Sequence, residues 1–228
     1  MKQMVIAVLS LALLSGICLA DDNLNMKDEK VRVSYSVGYQ VGGDFKRQGV
    51  DINPEVLLNG VQDALAGNDP LMPPQEMRTT LVDLQKKLAA TQKQKMKAEA
   101  EKNLSEGKAF LEGNGEKEGV KTLPSGLQYK VIKEGSGRTP KADDTVTVHY
   151  RGTLIDGTEF DSSYSRGEPV TFRTDRVIVG WKEALQLMKE GAKWQLFIPP
   201  ELGYGDKSAG RIEPNSTLIF DVELISVK

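Results

Sequence analysis

Between Pro74 and Glu112 the chain carries no proline and one glycine, Gly107. Nothing in that stretch breaks a helix, and a helix over Pro74–Glu112 would be roughly 58 Å long. Its apolar residues do not last the distance. Met77, Leu81, Leu84 and Leu88 follow at spacings of a short heptad seam, which then dissolves into Thr91, Lys95, Ala98 and Lys102. A helix that loses its apolar stripe halfway cannot be buried along its length. Two readings remain. Good helix formers over 89–106 favour a solvent-bridging stalk. Gly107 and the run Gly113-Asn114-Gly115 suit a frayed linker.

This stretch separates two textures. Of the 14 Phe, Tyr and Trp residues, 10 lie after residue 120. The first half is rich in Lys, Gln, Glu, Ala and Leu, which suits helices. A helix is expected from Met26 to about Arg47, with Val33, Val37, Val41 and Phe45 on one stripe and Gly49 as the stop. Asn53-Pro54 reads as an N-cap with Pro at the first helical position. That second helix presents Val56, Leu57, Val61 and Leu65 and ends at Gly67. Such helices bury little apolar surface alone, so residues 21–88 are expected to form a homodimer.

The second half alternates β-branched and polar residues between Gly and Pro punctuation. Strands are expected over 126–133, Thr145–Leu154 and Pro169–Phe172. Trp194, Leu196 and Ile198 alternate in a further strand, and Leu218, Phe220, Val222 and Leu224 in another. Asp156-Gly157 signals a turn. One amphipathic helix, Gly180 to Met188, carries Trp181, Ala184, Leu185 and Met188 on one side. The fold class is α+β, one short helix against an antiparallel sheet.

Charge and rare residues narrow the chemistry. A net charge of −2 lacks the basic excess that neutralises phosphates, so no nucleic acid is expected as a partner. One Cys and one His leave no zinc site of Cys/His type, and no metal or cofactor is expected. His149 is the one His available to a Ser–His–Asp system, and no G-x-S-x-G elbow accompanies it. Gly135-Ser136-Gly137 resembles half of a phosphate loop, without a Walker Lys or a following helix.

Residues 1–20 read as a secretory signal peptide: Lys2, an apolar run from Met4 to Leu14, then Cys18-Leu19-Ala20. Cleavage is expected after Ala20. The alternatives are a lipidated Cys18, disfavoured by Ile17 before it, and a retained anchor, for which the apolar run is short. The mature chain then has no cysteine and no membrane span. Its expected place is the periplasm, with outer-membrane or surface association as the alternative.

Three segments carry a resemblance. TVHYRGTLIDGTEFDSSYSRGEPVTF, VIVGWKEALQLMKEGAKWQLFIPPELGYG and NSTLIFDVEL occur in order and at family spacing within 123–228. They resemble the FKBP-type peptidyl-prolyl cis-trans isomerases. The helical, signal-bearing first half resembles the macrophage infectivity potentiator type, dimeric exported bacterial members of that family. The domains expected are therefore 1–20 signal peptide, 21–115 helical dimerisation domain and stalk, and 120–228 isomerase domain.

The resemblance implies a half-barrel sheet wrapped around the short helix, with an apolar pocket between them. It implies Trp181 as floor, with Tyr150, Phe160 and Phe220 as walls and Val177 in the lining. Asp161, Tyr204 and the backbone N–H of Ile178 would be catalytic, the last two holding substrate carbonyls, and Arg166 would hold Asp161. Val170 departs from the pattern, where an aromatic is common, as do Ser208 and Arg211 in the loop after Tyr204. Taken singly, Trp181, Phe160 and Phe220 read as core, Tyr150 as a half-buried strand tyrosine, and Asp161 as a turn cap. Their joint occurrence in a matching frame favours the pocket. His149 stays a strand residue on the face opposite Tyr150.

The implied activity is rotation of X–Pro bonds in exported proteins, with folding-chaperone activity. Its partners would be proline-containing unfolded or nascent exported proteins, and macrolides that block FKBP pockets. A non-catalytic chaperone built on the same fold is the alternative. A purely structural dimer leaves the pocket residues unexplained.

Overall fold

The computed structural model describes residues 24–228; the expected leader, 1–20, lies outside them. The chain divides into two compact units at Thr79/Thr80. Among the described residues no helix is long and apolar enough to cross a membrane.

The first unit is helical. Helix α1, Glu29–Gln48, is capped by the Asp28 carboxylate accepting from the Val31 N–H, and it ends at Gly49 in the left-handed region. Helix α2, Pro54–Ala66, starts on Asn53, whose side chain accepts from the N–H groups of Glu55 and Val56, and ends on left-handed Gly67. Both helices end where local chemistry dictates, because side-chain acceptors satisfy free donors and glycine accepts positive φ at no steric cost. Neither helix contains a buried residue. Val33 and Val37 are more than half exposed, and Leu65 is 85% exposed.

Helix α3, Pro74–Gly115, is continuous. The frayed-linker alternative is thereby excluded, and the helix runs three residues beyond its expected end. The reason is a polar lock. Asn114, 2% exposed, donates to the Gln128 side-chain oxygen at 2.9 Å. Gln128 in turn donates to the Leu111 carbonyl at 2.8 Å, satisfying a last-turn acceptor. Phe110 packs on Phe197 with ring centroids 6.0 Å apart. The C-terminal turns of α3 therefore rest on their own unit and are not a free stalk.

The rest of the second unit is one antiparallel sheet with strands β1 (Val120–Thr122), β2 (Gln128–Lys133), β3 (Thr145–Leu154), β4 (Glu159–Ser162), β5 (Val170–Arg173), β6 (Lys193–Ile198) and β7 (Leu218–Val227). The order is β1-β2-β6-β7-β3-β4, with β5 also on β3. Strand β3 shares one edge between two partners. Its first half pairs with β5 and its second half with β4. Between them sits the single turn α4, Ser163–Arg166, which local pattern did not foretell. Ser162, not Asp161, is its N-cap.

Helix α5, Val179–Leu185, lies against the sheet and ends three residues earlier than expected, with Met188 buried just beyond it. Gly180 permits the close approach: a Cβ there would stand 2.7 Å from Ile198. The core beneath includes Leu127, Val146, Val148, Leu196, Leu218, Val222 and Leu224. Gly135 and Gly137 also have a packing role. A Cβ on Gly135 would meet the Lys189 and Glu190 carbonyls at 2.5 Å, and one on Gly137 the Glu190 Cβ at 2.6 Å.

Candidate active site

Alternation along β3 turns Val146, Val148 and Tyr150 inward, and Tyr150 is the last of them before the sheet edge passes from β5 to β4. Strand β4 brings Phe160 and Asp161, α5 brings Trp181, and β7 brings Phe220. They converge on one cavity of about 610 Å³, lined also by Phe172, Arg176, Val177, Ile178, Tyr204 and residues Ala209 to Ile212. Eight of the nine residues singled out in the sequence line it. The ninth, Arg166, stands behind the wall and binds two of the others.

The floor is an edge-to-face assembly. Trp181, 4% exposed, meets Tyr150 at 5.3 Å and 87°, Phe220 at 5.2 Å and 82°, and Phe172 at 6.0 Å and 88°. Phe160 meets Phe220 at 5.4 Å and 84°. Such contacts suit ring quadrupoles and fix ring orientations. Among the described residues the Trp181 indole nitrogen is buried without a partner. Gly152 is essential to this packing, because a Cβ there would lie 2.6 Å from the Phe160 ring and 2.8 Å from Phe220.

One wall is polar. The Tyr150 hydroxyl donates to Asp161, Arg166 donates to the other Asp161 oxygen, and Arg166 also donates to the Tyr150 oxygen at 2.8 Å. Burial is the largest influence on Asp161 and raises its pKa. The Tyr150 and Arg166 hydrogen bonds, with the Arg166 charge, outweigh it and hold the carboxyl below its ordinary 3.8. Burial, then the bond to Asp161, pushes the Tyr150 hydroxyl above its ordinary 10.0. Asp161 is therefore an ionised acceptor at neutral pH. It has no proton to give and no nucleophile beside it.

Tyr204, 40% exposed, stands at the rim. Ile178 immediately precedes α5, where backbone N–H groups lack intrahelical partners. Of the three departures, Val170 packs on the core without lining the cavity, and Phe172, on the same face of β5, supplies an aromatic ring instead. Arg211 lines the rim and Ser208 does not. Phe172 and Gly152 were not singled out in the sequence. The signal for Phe172 was available: alternation puts it on the face of Val170. His149 stacks on Tyr164 at 4.5 Å and bonds Ser163, outside the cavity lining.

The cavity thus offers an apolar floor, one ionised acceptor and rim donors, with no group suited to covalent chemistry. Among the described residues no cluster of His, Cys, Asp and Glu is placed to hold a metal ion.

Comparison with known proteins agrees with this geometry. A family model described as FKBP-type peptidyl-prolyl cis-trans isomerase matches residues 136–225, and one for the domain amino-terminal to it matches 30–131. The chain is 46% identical to the outer membrane protein MIP of Legionella longbeachae, over 100% of this chain and 98% of the relative. It is 45% identical to the peptidyl-prolyl cis-trans isomerase Mip of Coxiella burnetii, over 100% and 99%. The crystal structure of FkpA from Escherichia coli superposes with a TM-score of 0.71 at 42% identity, covering 89% of this chain and 98% of that one.

Proposed function

The chain belongs to the FKBP-type peptidyl-prolyl cis-trans isomerases, and on that premise we propose that its aromatic cavity rotates X–Pro bonds by non-covalent catalysis. The observation that carries this reading is the assembly of Trp181, Tyr150, Phe172 and Phe220 beside an ionised Asp161.

An X–Pro bond turns over a barrier of roughly 18–20 kcal/mol because amide resonance must be broken. Unaided, it takes about 10–100 s at 25 °C. The twisted amide has less charge separation than the planar one, so an apolar site binds it better than the ground state. The proline ring rests on Trp181, between Tyr150, Phe160 and Phe220, with Val177 beside it. The Ile178 N–H and the Tyr204 hydroxyl hold flanking carbonyls, so that only the C–N torsion moves. Asp161, fixed by Arg166 and Tyr150, faces the dipole of the rotating carbonyl.

The division into 1–20 leader, 21–115 dimerisation domain and stalk, and 120–228 isomerase domain completes the reading, with the later turns of α3 counted to the isomerase unit on which they rest. The exposed valines and leucines of α1 and α2 support a homodimer through 21–88. Two linked pockets acting on one unfolded client would bind it with avidity, which gives the protein its chaperone role. The clients are proline-containing exported proteins, met in the periplasm or at the outer membrane, the place the Legionella relative's name suggests.

The test is isomerisation of a short Xaa-Pro peptide by residues 21–228, with and without a macrolide that blocks FKBP pockets. Catalysis abolished by the macrolide is expected. No rate enhancement would leave a non-catalytic chaperone.

A further inference from the structure

One side of the cavity is a loop, residues 203–217, that carries Tyr204 and Ala209 to Ile212. Loops of this length lacking regular structure are ordinarily mobile, whereas catalysis needs a rim held to within a fraction of an ångström. The loop makes some bonds of its own. Gly205 donates to the Pro200 carbonyl at 2.9 Å, and Ala209 and Ile212 exchange two bonds of 2.9 Å.

Further anchors come from α3, far away in sequence. The Asn103 side chain donates to the Pro214 carbonyl at 2.9 Å. The Asn215 side chain donates to the Ala100 carbonyl at 3.4 Å. One turn along, Gly107 is buried against Thr217, whose Oγ1 would lie 2.3 Å from a Cβ on that glycine. All these residues belong to the Thr80–Lys228 unit.

Asn215 joins the two ends of this arrangement. It is the one non-glycine residue with a positive φ, 57°, among those described. Asparagine enters that region more readily than most residues. In this conformation its side chain reaches the Ala100 carbonyl while its backbone N–H donates to the Gly205 carbonyl at 2.8 Å. Gly205 directly follows Tyr204. A path of two hydrogen bonds through one residue therefore runs from the helix to the turn that carries Tyr204.

We infer that Asn103 and Asn215 form a clamp by which α3 positions the Tyr204 rim of the isomerase cavity. Neither residue lines the cavity, so both are positioning residues. The inference rests on the reading of Tyr204 as a holder of substrate. It makes the last turns of the helix part of the isomerase machinery.

A double-mutant cycle in the full chain tests it. Asn103→Leu keeps the size and loses the donor. Asn215→Gly keeps the left-handed backbone and loses the side chain, and it preserves the test if Asn103→Leu folds poorly. Each is measured alone and combined with Tyr204→Phe, reading kcat/KM on an Xaa-Pro peptide. Each single variant should lower kcat/KM about three- to tenfold, the range that one net hydrogen bond spans. In the Tyr204→Phe background the further loss should be under about twofold, since residues acting through one group are not additive. Fully additive losses, or single variants with wild-type kcat/KM, overturn the clamp. Should the wild type be inactive or Tyr204→Phe neutral, the pocket reading falls and the clamp with it. An impaired Tyr204→Phe beside unaffected clamp variants removes the clamp alone.

Discussion

Val33, Val37 and Val41 on α1 and Val146 and Val148 on β3 are the same side chain in two regular patterns with opposite fates. The first three are 56%, 58% and 37% exposed; the other two are fully buried. Periodicity selects the element and the face in both regions. It does not supply the opposing surface. In the second unit β5, β6, β7 and α5 supply it from the same chain, whereas α1 and α2 leave their stripes open. Apolar surface of that kind calls for a partner, here proposed as a second copy.

The largest expected effect breaks the buried side of this contrast. Trp181→Ala removes the ring on which Tyr150, Phe172 and Phe220 rest. It should cost about 3–5 kcal/mol in chemical denaturation of the second unit and abolish peptide isomerisation. A loss under about 1 kcal/mol would mean that the floor collapses freely.

Next comes the exposed side. Val37→Asp should weaken self-association about 10- to 100-fold in analytical ultracentrifugation, since a side-chain burial of about 1.5–3 kcal/mol is forfeited. The same variant should leave isomerisation of a short peptide unchanged. Equal dissociation constants for both proteins would remove α1 from the interface.

A smaller change separates packing from chemistry within the cavity. Asp161→Ala and Tyr204→Phe should each lower kcat/KM by about three- to thirtyfold, with the fold retained by circular dichroism. Full activity in both would contradict their assignment.

The smallest effect is with pH. Asp161 is depressed below its ordinary 3.8, so its contribution to stability is fully present above that value. It is lost as pH falls through the lower folded value. Activity limited by this group should be level from pH 7 to about pH 5 and decline only below about pH 4. Asp161→Asn should flatten the low-pH limb of the stability curve.

What could be read in advance follows from the range of the forces involved. The ends of α1 and α2 were legible because Asn53-Pro54, Gly49 and Gly67 act within a few residues. The long strands were legible because alternation is local. Strand β1, three residues long, and the single turn α4 exist only because of what they pair with or cap, and pattern did not reveal them. The end of α3 is illegible in the sequence for the same reason. Its Gly113-Asn114-Gly115 looks like a terminator, yet Gln128, across the chain turn, holds it helical. The candidate site draws residues from five separate elements, β3, β4, β5, α5 and β7. No period in the sequence joins Tyr150 to Phe220, and only the three family-like segments taken together suggested it. Gly107 against Thr217 spans over a hundred residues of sequence, and nothing near either one announces the other.

The two tryptophans give the molecule built-in optics. Trp181 forms the cavity floor and Trp194 stacks on Tyr129 at 4.3 Å with planes 6° apart, so both report from the second unit. The first unit has no tryptophan but carries a tyrosine pair, Tyr35 and Tyr39, stacked at 6.1 Å. Excitation at the red edge therefore sees the second unit alone, whereas far-ultraviolet ellipticity sums the helices of both units, α1 and α2 in the first and most of α3 in the second. A thermal scan recorded in both channels would tell, without any label, whether the halves melt together or in turn, and a ligand seated on Trp181 would shift the emission channel directly.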